Sequence, residues 1–187
     1  MLSRSTSASD ECFVGGHEPG LRGGRQQGIK ALVIVPIEVR GAGSGRIRMQ
    51  VIDDASADTL CDFVAESIAA GAIVRTDGWS GYKRLALLGF DHQPRSQRAH
   101  HLLGEDPDEI LPRVHRVISH RKTWLQGTHR GVSEEYLQVY LDEFTFRFNR
   151  RRTPMAAFQR VLGLGSQQEP TTHEEILAEG PAHSDEA

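Results

Sequence analysis

Cysteine is scarce, with only Cys12 and Cys61 in 187 residues. That excludes a Cys-rich zinc module within the chain and suits a reducing cytosol, so a cytoplasmic location is expected. No apolar run approaches the roughly 18 residues that cross a bilayer, and no membrane partner is expected. Met1 to Gly16 is polar and lacks the apolar centre of a secretion signal. Residues 17–28 are Gly-rich and partly basic, but they lack the spacing of a phosphate-binding fingerprint. Charge of one sign is missing from two stretches: no acid occurs from Pro112 to Val132, and no Lys or Arg from residue 161 to 187.

What is present suits one domain. The chain is 38% hydrophobic and 25% charged, as soluble globular proteins are, and its length falls within the roughly 100–200 residues of a single domain. Its net charge of -3 conceals an uneven layout. Lys and Arg number 12 against 15 acids in residues 1–111, 10 against 4 in 112–160, and 0 against 6 in 161–187, so the middle block carries +6. A local excess of that size draws phosphate backbones, although a solvated basic helix has the same composition. Residues 1–9 are Ser-rich and featureless, and residues 163–187 are acidic and aperiodic; both ends are expected to be disordered.

Between them the pattern is mixed. Asp10 to Gly16 looks like the stump of a strand running into a Gly turn. Lys30 to Arg40 is strongly β-forming, with Pro36 tolerable at an edge or a bulge. Gly41 to Gly45 turns the chain. Arg46 to Ile52 then alternates, with Ile47, Met49 and Val51 on one face, which predicts an antiparallel hairpin. Ser56 is placed to cap a helix that Gly71 stops. Ala72 to Thr76 reads as a buried strand, and strand, strand, strand, helix, strand is an α/β order in which a crossover returns the chain parallel to an earlier strand. Ser80 to Leu88 reads as a short helix and Phe90 to Pro94 as a further strand.

Ala72 to Thr76 stops abruptly on Asp77. A buried strand of that kind delivers a carboxylate to its carboxyl end, where open α/β sheets place their sites. Capping of the helix near Ser80 is the alternative role for Asp77. His100 and His101 are adjacent on a polar stretch with no third ligand at metal spacing, so they are not assigned to a metal.

From Asp108 to about Leu125 the pattern is helical, with a bend expected near Pro112. His115 and Lys122 lie seven residues apart, about two turns, on one face of that helix. Gln126 to Val132 is expected to be a loop, with Ser133 capping a second helix. The stripe of Tyr136, Leu137, Tyr140, Leu141, Phe144 and Phe148 reads as core packing. Arg147, Arg150, Arg151 and Arg152 gather at that helix's end, where phosphate contact is expected.

Four ordered motifs carry a resemblance. They are Asp10-Glu11 before Phe13-Val14-Gly15-Gly16; Thr76-Asp77-Gly78-Trp79-Ser80-Gly81-Tyr82; Val114-His115-Arg116-Val117 with Lys122-Thr123-Trp124-Leu125-Gln126-Gly127-Thr128-His129; and Tyr140 to Arg151. Together, over residues 10–162, they resemble the catalytic domain of bacterial insertion-sequence transposases, more narrowly the ISXO-type branch of the DDE superfamily. The resemblance implies an α/β, RNase H-like mixed sheet, three antiparallel strands and then parallel ones, with flanking helices. It implies cleavage and rejoining of DNA with Mg²⁺ or Mn²⁺, transposon ends and target DNA as partners, a homo-oligomer on that DNA, and a nucleoid-associated location.

It also implies roles. Asp10, Asp77 and His115 would be metal ligands, with His115 where the superfamily most often has Glu, and Lys122 would complete the catalytic set by steadying a phosphate. Arg116, Arg121, Lys122, Arg147, Arg150, Arg151 and Arg152 would contact DNA. Such transposases begin with an end-recognising portion for which this chain has no room, so a copy truncated at its N-terminus is expected. Ser5 to Ser9 is less apolar than the family's first strand, which predicts a frayed strand around Asp10. A remnant that binds DNA or full-length transposase without cutting, or an RNase H-like nuclease outside transposition, would carry the same residues.

Overall fold

β2 (Ala31–Arg40) has no face for water from Ala31 to Ile37, and the fold is built on both sides of it. Ala31, Val33, Val35 and Ile37 enter one apolar core, and Leu32 and Ile34 enter another on the opposite face. A continuous apolar run is what an interior strand covered on both faces requires. The computed structural model describes residues 5–15, 30–95, 111–129 and 132–165.

On one edge β2 pairs antiparallel with β1 (Thr6–Val14), and on the other with β3 (Gly43–Ile47) and β4 (Gln50–Ile52). The hairpin expected over residues 30–52 is therefore present, with its second arm broken at residues 48–49. Pro36 sits at that break, accepting a bond from the Arg48 N–H while its missing donor faces the gap between β3 and β4.

α1 (Ala57–Ser67) begins as its sequence requires, with the Ser56 hydroxyl accepting from the Thr59 N–H. It buries Leu60, Cys61, Phe63 and Val64 against the sheet and returns the chain to β5 (Ile73–Thr76), parallel to β1. A 3-10 helix (Ser80–Ala86) leads to β6 (Asp91–Pro94), parallel to β5. The sheet order is β3-β2-β1-β5-β6 with β4 also on β2. α2 (Pro112–His129) and α3 (Leu137–Asn149) cover the face opposite α1, burying Val114, Val117, Leu125, Leu141 and Phe144. Three antiparallel strands followed by parallel ones between helical layers form the RNase H-like architecture. α4 (Pro154–Gly165) follows, with Met155, Phe158, Val161 and Leu162 exposed.

Several expectations need correction. Residues 6–9 are not disordered: they pair with β2 through Thr6↔Val39 to Ser9↔Pro36, and Ser7, Ala8, Ser9 and Asp10 are buried. The strand is thus intact through Asp10. Small side chains suit a strand that helices approach on one face and Tyr82 on the other, so the lack of bulk there is a packing solution. Pro112 opens α2 at its first described turn, where its missing N–H costs nothing. α2 also continues through Gln126 to His129, so the loop expected there is shorter. Ser133 precedes a 3-10 helix (Glu134–Tyr136) and makes no side-chain cap bond. α4 extends through Gly163 to Gly165; residues 166–187, like residues 1–4, Asp108 to Ile110 and the His100-His101 pair, lie outside the described residues.

Candidate metal centre

β1 and β5 pair only from Thr6↔Ile73 to Ala8↔Arg75. Past that point the two strands part, leaving a crevice at the carboxyl ends of parallel strands. The register, carried two residues further, sets Asp10 level with Asp77. Asp10 follows Ala8 on the face shared with Cys12 and Val14 and is nearly buried, at 8% exposure. Its Oδ1 accepts from the Glu11 N–H at 2.9 Å, which fixes the carboxylate in the crevice. Asp77 leaves the end of β5 at Gly78, whose φ of +84° only glycine adopts without strain. Its Oδ1 accepts from the Trp79 N–H at 2.9 Å. Asp77 therefore shapes the turn before the 3-10 helix as well as facing the crevice, but it does not cap that helix, whose N-cap is Trp79 with no side-chain cap bond. Gly81 closes the same turn: a Cβ there would stand 2.9 Å from the Ala55 carbonyl oxygen and 2.8 Å from Leu60.

One oxygen each from Asp10, Glu11 and Asp77 lies within 4.8 Å of the others. Oxygens on opposite sides of one Mg²⁺ stand roughly 4.2 Å apart, from about 2.1 Å per bond. Adjacent ligands stand roughly 3.0 Å apart, so the three carboxylates, already within 4.8 Å of one another, would draw together to hold a hard divalent cation. Glu11 is the member that the sequence pattern missed. Alternation along a strand sends it to the face opposite Asp10, and only the parting of β1 from β5 opens a space that both can reach.

His115 stands beside this cluster, its Nε2 3.3 Å from Asp10 Oδ2. α2 thus brings His115 to the carboxylate it was expected to join, while the three-carboxylate group itself is completed by Glu11. Lys122, on the same flank of α2, lies roughly 10 Å farther along the axis, at about 1.5 Å per residue. It is exposed and lines a cavity of about 800 Å³ at the end of β1 with Phe13, Val14, Gly15 and Lys30.

Two polar pairs lie near the crevice. The Ser9 hydroxyl is 3.4 Å from the Tyr82 hydroxyl, and Thr76 Oγ1 is 2.9 Å from His92 Nε2. Burial, and then the Glu11 carboxylate, push the Tyr82 phenol well above its usual range, so it stays neutral. Burial lowers the His92 imidazole below 6.5. The same burial pushes the Cys12 thiol up to about 11, against the pull of Arg121.

The cations expected to meet DNA divide into two groups. Arg121 is 3% exposed, with Nη2 3.7 Å from Cys12 Sγ, so it is not on the surface; its position in the core-facing row of Val114, Val117 and Leu125 accounts for this correction. Arg116, Arg147, Arg151 and Arg152 are exposed, and Arg150 is half-buried with its guanidinium 4.0 Å from the Phe146 ring centre. Arg147 pairs with Glu143 at 2.7 Å, and Arg151 is anchored on the Ser44 and Phe148 carbonyls.

A mixed sheet in this order, with acids on its first strand and at the end of the parallel strand beside it, defines a DDE-type transposase fold with a candidate metal triad. The family profile described as the ISXO2-like transposase domain matches residues 7–149, and the chain belongs to that family. No curated protein and no solved structure matches the chain. Among the described residues no helix is long and apolar enough to cross a membrane.

Proposed function

We propose that this domain is a metal-dependent DNA strand-transfer enzyme acting on the ends of an insertion sequence and on target DNA, as a homo-oligomer on that DNA. The observation that carries the reading is the convergence of Asp10, Glu11 and Asp77 from two strands onto one crevice. Carboxylate oxygens are hard donors, which favours Mg²⁺ or Mn²⁺ over softer-ligand metals. Divalent cations held there supply a clamp on the attacking and leaving oxygens of an in-line phosphoryl displacement.

The chain's own residues do the rest. Asp10 and Asp77 present their oxygens in fixed directions because each also accepts a backbone N–H. His115 holds the far oxygen of Asp10, or joins the ligand set when the cluster closes. Lys122 offers a point charge to a phosphate farther along the strand. Exposed Arg116, Arg147 and Arg152 attract the DNA backbone to the α2 and α3 side of the domain.

The test is nicking and strand transfer on DNA carrying the element's ends, in Mg²⁺ and in Mn²⁺. Cleavage that Asp77→Ala abolishes is expected. Salt-sensitive DNA binding without cleavage in either metal would overturn the catalytic reading and leave a DNA-binding remnant in its place.

A further inference from the structure

α2 serves the crevice with one flank only. At about 100° per residue, His115 and Lys122 share a flank, the row Val114, Val117, Arg121 and Leu125 faces the core, and Arg116, His120 and Trp124 turn to the opposite flank, toward α3. There a cavity of about 400 Å³ opens between α2, α3 and β3. Its rim carries Arg116, His120, Arg147 and Arg151, and its floor is made by Trp124, Phe144 and Phe148. Among the described residues Arg116 and His120 have no ionic or hydrogen-bond partner, and both are exposed. Arg151 is held differently. Its guanidinium lies over the Phe148 ring, 3.9 Å from the ring centre, and donates to the Phe148 and Ser44 carbonyls, so it covers that ring and leaves Trp124 as the aromatic surface of the floor.

A bare phosphate has no use for such a floor, and an apolar ligand has none for four cationic or titratable rim groups. The matching ligand is anionic at one end and flat and apolar at the other. A duplex hides the faces of its bases, and the floor is recessed between two helices, so a paired base does not reach it. We propose that this cavity receives one unpaired nucleotide of the DNA strand, the base against Trp124 and its phosphates on Arg116 and Arg147. It lies across α2 from the carboxylates, roughly a helix diameter of 10 Å away, so it takes a nucleotide about three base steps from the one at the crevice. The inference rests on the reading that the domain handles DNA, and it requires no cleavage.

The test is equilibrium binding in EDTA of a short labelled single-stranded oligonucleotide, of the same oligonucleotide with every base removed, and of deoxyadenosine monophosphate. Stacking of one base predicts that the base-bearing strand binds about 5- to 150-fold more tightly than the abasic one. Trp124→Leu is expected to shrink that ratio while leaving abasic binding unchanged. Arg116→Ala, at an exposed position, is expected to weaken both strands and serves if the Trp124 variant does not fold. Equal binding of the two strands would overturn the proposal in favour of a phosphate-only surface. Monophosphate binding as tight as the oligonucleotide would make it a free-nucleotide site, and displacement of the oligonucleotide by a peptide of residues 166–187 with no base dependence would make it the seat of the acidic tail. Base-dependent binding in a protein that never cuts leaves this inference standing, and cutting with no base dependence removes this inference alone.

Discussion

Replacing Asp77 with Asn keeps the acceptor that the Trp79 N–H needs and removes only a charge, which makes it the cleanest probe of the carboxylate cluster. Two unit charges at the 4.8 Å limit of the cluster repel by about 0.9 kcal/mol in surroundings like water and by about 3.5 kcal/mol at an effective dielectric of 20. Asp77 and Glu11 are half-buried, and His115 stands beside Asp10, so the effective value lies toward the lower figure. Asp77→Asn ends two such repulsions, and without metal it is expected to stabilise the fold by about 1–2 kcal/mol. At roughly 2–4 °C per kcal/mol for a chain of this size, that is a rise of several degrees in Tm. With metal the order inverts: the wild type gains about 2.7 kcal/mol at a metal concentration 100 times Kd, and the variant, short of one ligand charge, gains much less. Thermal unfolding followed by circular dichroism, in EDTA and in rising Mg²⁺ or Mn²⁺, reads both halves. A wild-type Tm indifferent to both ions, together with a variant no more stable than wild type in EDTA, would refute the reasoning.

Three further outcomes are open to measurement. Because burial depresses the His92 imidazole, the unfolded chain takes up its proton first; stability is full above pH 6.5 and is lost as pH falls through the lower folded value. His92→Gln, which keeps a partner for Thr76, is expected to flatten that acid loss in denaturant titrations. Lys122→Ala is expected to weaken duplex binding and to reduce the slope of log affinity against log salt by about 0.9, whereas Arg121→Gln, at a buried position, is expected to leave that slope unchanged. Ile34→Ala, at a fully buried position of β2, is expected to cost about 2–5 kcal/mol in urea unfolding.

Much of this architecture is legible in the sequence. The apolar run of β2, the Ser56 cap and the strand ending on Asp77 each announce themselves through local physics, and the family motifs tie Asp10, Asp77 and His115 to one site. Three features did not show, each because tertiary context decided it. Thr6 to Ser9 has no apolar signal, yet it pairs along β2, where small side chains allow close approach. Glu11 lies on the wrong side of an ideal strand and reaches the crevice only because β1 outruns its pairing with β5. Arg121 looked like one more surface cation in a basic stretch, and only the angular position of α2 against β1 buries it beside Cys12.

Adjacent acids on β1 also make the site a matter of register. A slip of one residue against β2 would turn Glu11 toward His115 and send Asp10 to the Tyr82 layer, exchanging the long carboxylate for the short one. Thr6 to Ser9 offers almost nothing to forbid this, since Ser and Ala fit either layer. The discrimination falls to the other half of the strand, where Phe13 belongs to the core under α1 while Cys12 and Val14 belong to the core under α2. Residues that never approach a phosphate therefore decide which carboxylate meets it, and mutations at Phe13 would be read in assays as catalytic defects although they act on alignment.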